Sequence, residues 1–258
     1  MWDPEIYQRY GDERSRPFFD LLARVRTGAP RRVVDLGCGP GDLTATLAER
    51  WPSARVEGFD SSTEMITKAA ALGKPVEFAV GDVRAWEPEP DVDVLVSNAV
   101  LQWVPGHEEL LPRWAAGIAP GGVIALQVPG NFDAPSHRAL QALAGEWDAL
   151  NDVGIIRRVP DFEAYARILT RRGCTVDAWA TTYLHLLPVK DGDEHPVLRW
   201  MDGTALRPVK AALPDADYPA FRASLGERLA DAYPVENGLV HFPFHRNFVV
   251  ARTPQGRA

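Results

Sequence analysis

From residue 31 to residue 130 the chain alternates short apolar runs with segments of helical spacing. Residues 31–36 (RRVVDL) form a β-branched run closed by glycines at 37, 39 and 41. Residues 43–51 carry apolar positions at helical spacing and stop at Pro52. A second strand is predicted at 55–59 and a second helix at 62–72, where Ser61 or Ser62 is placed to cap the first free N–H groups. Strands follow at 76–80 and 92–96, then a helix at 108–118 with Pro112 in its first turns. The strand at 123–128 comes after the turn Pro120-Gly121-Gly122. Four β-α repeats in succession predict an α/β fold with a doubly wound parallel sheet and right-handed crossovers.

The remaining chain is less regular. Residues 136–150 and 162–172 have helical spacing, 175–187 alternate like a long strand, and 248–252 read as a closing strand. Between 188 and 240, prolines at 188, 196, 208, 214, 219 and 234 separate short helical pieces. Neither this stretch nor residues 1–30 has a core pattern of its own. The expected organisation is an N-terminal cap segment (1–30), an α/β core (31–187), a helical cap insertion (188–240) and a closing strand of the core sheet (241–258).

Composition narrows the function classes. With 258 residues and 46% hydrophobic side chains, the chain is long enough to bury a core without staples. Two cysteines, Cys38 and Cys174, make no disulfide framework and no zinc-binding Cys pair. The polar N-terminus lacks the apolar region of a signal peptide, and no apolar run is long enough to span a bilayer, so a cytoplasmic protein is expected. The net charge is −7, and it is uneven. Residues 31–130 hold 8 basic and 14 acidic side chains, whereas 1–30 balance at five each and 131–258 hold 15 and 16. No third of the chain is basic, which argues against nucleic acid as a partner.

The sharpest motif is Val34-Asp35-Leu36-Gly37-Cys38-Gly39-Pro40-Gly41, a glycine-rich turn between the first strand and the first helix of the repeats. Glycines there allow a sharp turn and close approach of backbone to ligand. A dinucleotide fingerprint would need a third glycine at 42 or 44, where Asp42 and Thr44 stand, and no GKS or GKT follows for a phosphate loop. The downstream acids suit a different ligand. Asp60 ends the second strand, where a carboxylate accepts both ribose hydroxyls; Asp82 follows the third, where one accepts an adenine amino group. Ser97 and Asn98 end the fourth, at the mouth of the sheet. A DxGxGxG loop with two such acids resembles the pattern of Rossmann-like S-adenosyl-L-methionine (AdoMet) methyltransferases, whose sulfonium ligand suits an acidic pocket.

Further motifs resemble one family within that class, the trans-aconitate 2-methyltransferases, nearly end to end. They are Trp2-x-Pro4-x-x-Tyr7, Glu13-Arg14-Ser15-Arg16-Pro17, Arg50-Trp51-Pro52, Leu101-Gln102-Trp103, Gln127-x-Pro129, Thr181-Thr182-Tyr183-x-His185 and Leu206-Arg207-Pro208. Ala205 and His245 depart from the family pattern, where glycine and proline are usual. The resemblance implies a Rossmann-like methyltransferase sheet capped by the N-terminus and a late helical insertion. It implies cofactor contacts from Asp35, Gly37, Gly39 and Gly41, from Asp60 and Ser61, from Asp82 and Val83, and from Ser97 and Asn98. AdoMet would be the methyl donor and S-adenosyl-L-homocysteine the product.

The implied reaction esterifies one carboxylate of trans-aconitate. Carboxylic acids ionise near pH 4, so the nucleophile is already deprotonated and no general base is expected. Positioning and desolvation would do the work. A polycarboxylate needs cationic, preferably forked partners, which points to Arg14, Arg16 and Arg207. Gln102 would hold a carboxylate, Trp103 would wall the site, and Tyr183 would donate a hydrogen bond. The expected partner is therefore a small-molecule polycarboxylate, with no nucleic acid, membrane or metal, and the chain is expected to act as a monomer. Two other readings stand beside it: an AdoMet-dependent methyltransferase for another small acid or a phenol, and a non-catalytic AdoMet-binding protein.

Overall fold

The computed structural model describes residues 15–151, 153–154, 158–190, 192–202 and 205–256. The β-branched runs pair as parallel strands: β1 (Arg32–Leu36), β2 (Arg55–Asp60), β3 (Glu77–Val80), β4 (Val92–Asn98) and β5 (Val123–Pro129). With β6 (Thr175–Pro188) and β8 (Leu239–Arg252) they hydrogen-bond in the order β3-β2-β1-β4-β5-β8-β6, and β8 runs antiparallel to β5. The reversal of strand order between β1 and β4 is the switch point at which α/β sheets bind ligands, outside the carboxyl ends of the strands. A short strand, β7 (Val235–Glu236), pairs with the start of β8 through Asn237-Gly238, both at positive φ.

Helix ends follow local chemistry. Gly41, at φ +87°, leads into α2 (Asp42–Arg50), whose first turn carries Asp42 and last turn Arg50, matching the helix dipole. Ser62, not Ser61, caps α3 (Thr63–Ala71), its hydroxyl accepting from Met65 N at 3.3 Å. The predicted helix at 108–118 divides into a 3₁₀ turn, His107–Glu109, and α4 (Leu110–Gly117), so Pro112 falls in a first turn that needs no N–H from it. The predicted 136–150 helix is α5 (Pro135–Ala144), ending at Gly145, followed by a 3₁₀ turn at Asp148–Leu150. Asp161 caps α6 (Phe162–Thr170), accepting from Ala164 N at 2.8 Å. Three helices follow: α7 (Pro196–Asp202), α8 (Arg207–Ala212) and α9 (Tyr218–Ala232).

The chain divides into two units. The first holds residues up to Pro129, Val159–Thr181 and the chain from Arg246 on. Its core packs Leu111 and Trp114 of α4 and Tyr165 and Leu169 of α6 on Val34, Leu36, Leu95, Leu126 and Val249 of the sheet. On the first unit's sheet, α1 (Arg16–Ala23) packs against β5. The second unit holds Gly130–Arg158 and Thr182–His245. Its core gathers Leu140, Leu143, Leu150, Val197, Met201, Phe221, Leu225 and Phe242.

Two expectations change here. The segment at 130–158 was expected within the core of 31–187, but its leucines bury with α7 and α9, so it joins the second unit. The closing strand begins at Leu239, well before Phe248. Val240, Phe242 and Phe244 point inward, while Pro243 lies on the exposed side of β8. Among the described residues no helix is long and apolar enough to cross a membrane.

At the amino ends of β1 and β2, away from the switch point, Arg32 and Glu57 form a buried ion pair. Arg32 also meets Glu89 and Asp91, each at 3.0 Å. Removing Arg32 takes the buried partner from Glu57 and leaves it only the more exposed Arg55, at 2.9 Å, a loss that stays below the about 3–5 kcal/mol of a fully orphaned buried charge. Arg32→Ala is therefore expected to lower the urea midpoint sharply. Lys68→Ala, which breaks the exposed Lys68–Glu64 pair, should leave the midpoint almost unchanged. Equal losses in the two denaturation curves would refute this ranking.

Candidate functional site

The site grows from the carboxyl end of β1. Asp35 is 3% exposed and accepts a 2.6 Å hydrogen bond from Thr44 Oγ1, at the start of α2. Burial pushes its carboxyl up to about 6; the Thr44 bond opposes that and the nearby Asp60 charge adds to it. Gly37, at φ +82°, occupies a conformation that side chains avoid, and a β-carbon there would overlap Val100. Gly41, at φ +87°, would bring a β-carbon within 2.7 Å of Ala69 Cβ. Beside Gly39, by contrast, a β-carbon would meet nothing within 4 Å. The loop is thus packed at both ends and open in the middle.

Asp60 holds this loop in place. Its Oδ2 accepts from Gly39 N at 3.0 Å and its Oδ1 from Ser62 N at 2.9 Å. Gly37 N and Cys38 N both donate to Phe59 O, at 2.7 and 3.0 Å. Ser61 beside it is exposed. The Cys38 thiol is buried and its ionisation is pushed up by burial and by the charges of Asp35 and Asp60, which makes it an inert packing group. After β3, Asp82 accepts from Arg84 N at 2.9 Å and from the Arg84 guanidinium, and Val83 packs on the core beside it.

At the mouth of β4 the backbone is strained. Ala99 stands at φ +58°, a left-handed conformation that costs an alanine about 1–2 kcal/mol. It is pinned on both sides: Ala99 N donates to Gln127 O at 2.9 Å, and Gln102 Nε2 donates to Ala99 O at 2.6 Å. Ser97 is buried and donates to Leu36 O at 3.2 Å, which ties β4 to the loop strand. Three buried side-chain atoms around this kink meet no hydrogen-bond partner: Asn98 Oδ1, Gln102 Oε1 and Gln127 Nε2.

The expected cofactor residues therefore lie along the carboxyl ends of β1, β2, β3 and β4. The expected substrate residues that the structure describes fall in both units. Arg14 lies outside the described residues. Arg16 is exposed at the start of α1, 3.9 Å from Asp20. Gln102 gives one of its two amide N–H groups to Ala99 O and leaves its Oε1 buried without a partner, so it offers an acceptor beside a remaining donor. Trp103 is 48% exposed. Tyr183 is buried and Arg207 exposed, both in the second unit. Sequence reasoning passed over Gln127 and Arg246, although Gln127 stood in the Gln127-x-Pro129 motif. Gln127 is fully buried, and Arg246, itself buried, donates to its Oε1 at 3.2 Å.

A family profile described as a methyltransferase domain matches residues 7–178. A trans-aconitate 2-methyltransferase of Mycobacterium sp. (strain KMS) is 56% identical over 98% of this chain and 100% of its own length. Another, from Mycobacterium tuberculosis (strain ATCC 25177 / H37Ra), is 48% identical over 100% of this chain and 98% of its own. Among solved structures, Haemonchus contortus phosphoethanolamine N-methyltransferase 2, in complex with S-adenosyl-L-methionine, shares the fold at a TM-score of 0.54. It is 18% identical and covers 93% of this chain and 53% of that one.

Asp35 ionises at a cost. Its proton is bound more tightly in the folded chain than at the ordinary value of 3.8, so the charge opposes folding above pH 6. That penalty fades as pH falls through 6 and is gone below about 4. Asp35→Asn should consequently stabilise the apoprotein at pH 7.5, by up to about 3 kcal/mol, and confer no gain near pH 4. Urea denaturation at the two pH values checks this; a variant destabilised at pH 7.5 would refute it.

Proposed function

The chain belongs to the trans-aconitate 2-methyltransferase family of methyltransferase-domain proteins, and from that premise we propose that it esterifies trans-aconitate. The products are a monomethyl ester and S-adenosyl-L-homocysteine. The observation that carries the reading is the pairing of two acids, Asp35 and Asp60, with a glycine loop whose middle is open. A cationic nucleoside fits that donor set: negative charge, an accessible backbone at Gly39, and a buried acceptor at Gln102 Oε1.

When bound, AdoMet supplies an electrophilic methyl group on a sulfonium. The chain's own residues bind and orient. Asp60 presents two oxygens, each holding one backbone N–H and each with a lone pair left for a ribose hydroxyl. Ser61 stands exposed beside it. Asp82, with Val83 following, offers an acceptor for the adenine amino group, shared with Arg84. Asp35 sets negative potential under the loop, and Ser97 and Asn98 line the mouth of β4. Burial around Leu101 and Gln127 keeps water from the β4 and β5 ends, where an anion and a cation neutralise each other during transfer.

A phenol acceptor would need a base to remove its proton, and the described β4 and β5 ends present amides. His107 is buried between Tyr165 Oη, at 2.6 Å, and Val104 O, at 2.9 Å, so both ring nitrogens are engaged. A carboxylate, ionised from the start, needs no such group. Purified chain with methyl-labelled AdoMet and a panel of carboxylic acids and phenols should label trans-aconitate as a base-labile ester. Label on a phenol or amine with none on any carboxylate would sink the proposal. In the same series, Asp60→Ala should weaken AdoMet binding by at least about tenfold, read by calorimetry, because two hydroxyl bonds to a charged group are lost. Unchanged affinity would remove Asp60 from the cofactor site.

A further inference from the structure

We propose that Gln127 and Arg246 form a carboxylate anchor that grips a non-reacting carboxylate of the acceptor, a role that rests on the function proposed above. Gln127 ends β5 and is fully buried. Its orientation is fixed, because Oε1 accepts from Arg246 Nη1 at 3.2 Å. That leaves Nε2 as a buried donor with no acceptor. Buried donors are almost always satisfied in folded proteins, and an orphaned one at a sheet mouth marks the place of a missing acceptor. The Arg246 guanidinium lies on the same side: Arg246 pairs with Pro129 across β5 and β8, two residues along from Gln127 and Phe248, so the side chains share a sheet face. A guanidinium next to an amide N–H is a donor set for a carboxylate.

Polarity along the sheet edge separates this anchor from the cofactor residues. Gln102, pinned by its donation to Ala99 O, turns an acceptor inward after β4. On β5, Gln127 leaves a buried donor beside the Arg246 guanidinium of β8. In the order β2-β1-β4-β5-β8, Arg246 stands four strand spacings from Asp60, roughly 19 Å, and three from Asp35, roughly 14 Å. A cation fits the first side and an anion the second. The gripped carboxylate is not the one that reacts, since a carboxylate whose lone pairs hold two or three donors is a poor nucleophile. Holding one carboxylate of a polycarboxylic acid positions another without quenching it. The pair thus selects for acceptors with more than one carboxylate.

Arg246→Lys keeps the charge and loses the fork; Gln127→Glu keeps the shape and replaces the free donor with an oxygen. Each is expected to raise KM for trans-aconitate by about 30-fold or more, the scale of a lost charged hydrogen bond, with AdoMet Kd within about threefold of wild type. Binding is read separately, by calorimetry of trans-aconitate on the S-adenosyl-L-homocysteine complex, so turnover is not the only measure. In wild-type chain the Gln127 side-chain amide resonance should shift when trans-aconitate is added to that complex and not when S-adenosyl-L-homocysteine is added alone. This readout holds even if a variant fails to fold. Folded variants with unchanged trans-aconitate affinity would overturn the anchor. So would weakening confined to AdoMet, which would make the pair a ligand of the donor's own carboxylate. If wild-type chain binds trans-aconitate, with the Gln127 shift, but does not methylate it, the proposed function fails and the anchor stands.

Discussion

A buried negative charge at Asp35 is the constraint around which the first unit is arranged. The carboxylate has one hydrogen bond, from Thr44, and a second acid, Asp60, close enough to raise its proton affinity. Such a placement is unfavourable for the apoprotein alone, since nothing cationic is supplied to it by the described chain. Its surroundings are built to hold it nonetheless. The left-handed Gly37 lets Val100 close over the loop, Gly41 lets α2 start against Ala69, and Asp60 ties Gly39 to the end of β2. The site carries strain and unpaired charge together, in the strained Ala99 and the buried Asp35. That combination is typical of sites where local geometry is held for binding rather than for stability.

The parallel half of the fold was legible because its signals are local. β-branched runs, glycine turns and serine or aspartate caps each fix a strand or helix end within a few residues, and the boundaries fall near their expected places. The second unit was hidden by a different physics. Leu140, Leu143 and Leu150 look like any amphipathic segment following the sheet, and only their burial with Val197, Met201 and Phe221 assigns them elsewhere. The early start of β8 is encoded in Asn237-Gly238, a strong hairpin signal that lies before the predicted strand at 248–252. Pro243 lies three residues before Arg246, where pairing with β5 begins, so it removes no donor from the β5–β8 ladder.

The cofactor residues were readable for the same reason as the strands. A carboxylate immediately after a strand, or a glycine immediately before a helix, is positioned by backbone alone. Substrate residues are positioned by side chains from segments distant in sequence, and exposed arginines such as Arg16 carry no local mark of that role. The informative residue was a glutamine. Gln127 carries no charge and its sequence gives no chemistry; only its full burial with an unsatisfied donor makes it a candidate. Gln102 differs in that one of its two amide N–H groups is committed to the backbone at Ala99 O.

Charge distribution then takes on a sharper meaning. The acidic excess of residues 31–130 repels a polyanion and attracts a sulfonium, so the chain's overall field favours one partner of the reaction and opposes the other. Long-range attraction for a polycarboxylate is therefore absent and has to be replaced at contact distance, where salt and solvent screen little. A guanidinium 8% exposed, bonded to a fully buried amide, can do that; an exposed arginine within an acidic surface cannot to the same degree. Moving from β2 to β8 the inward-facing groups pass from carboxylates to neutral amides to a guanidinium. On the proposed anchor, methyl transfer between a cation and an anion would fall where the sheet's own charge changes sign.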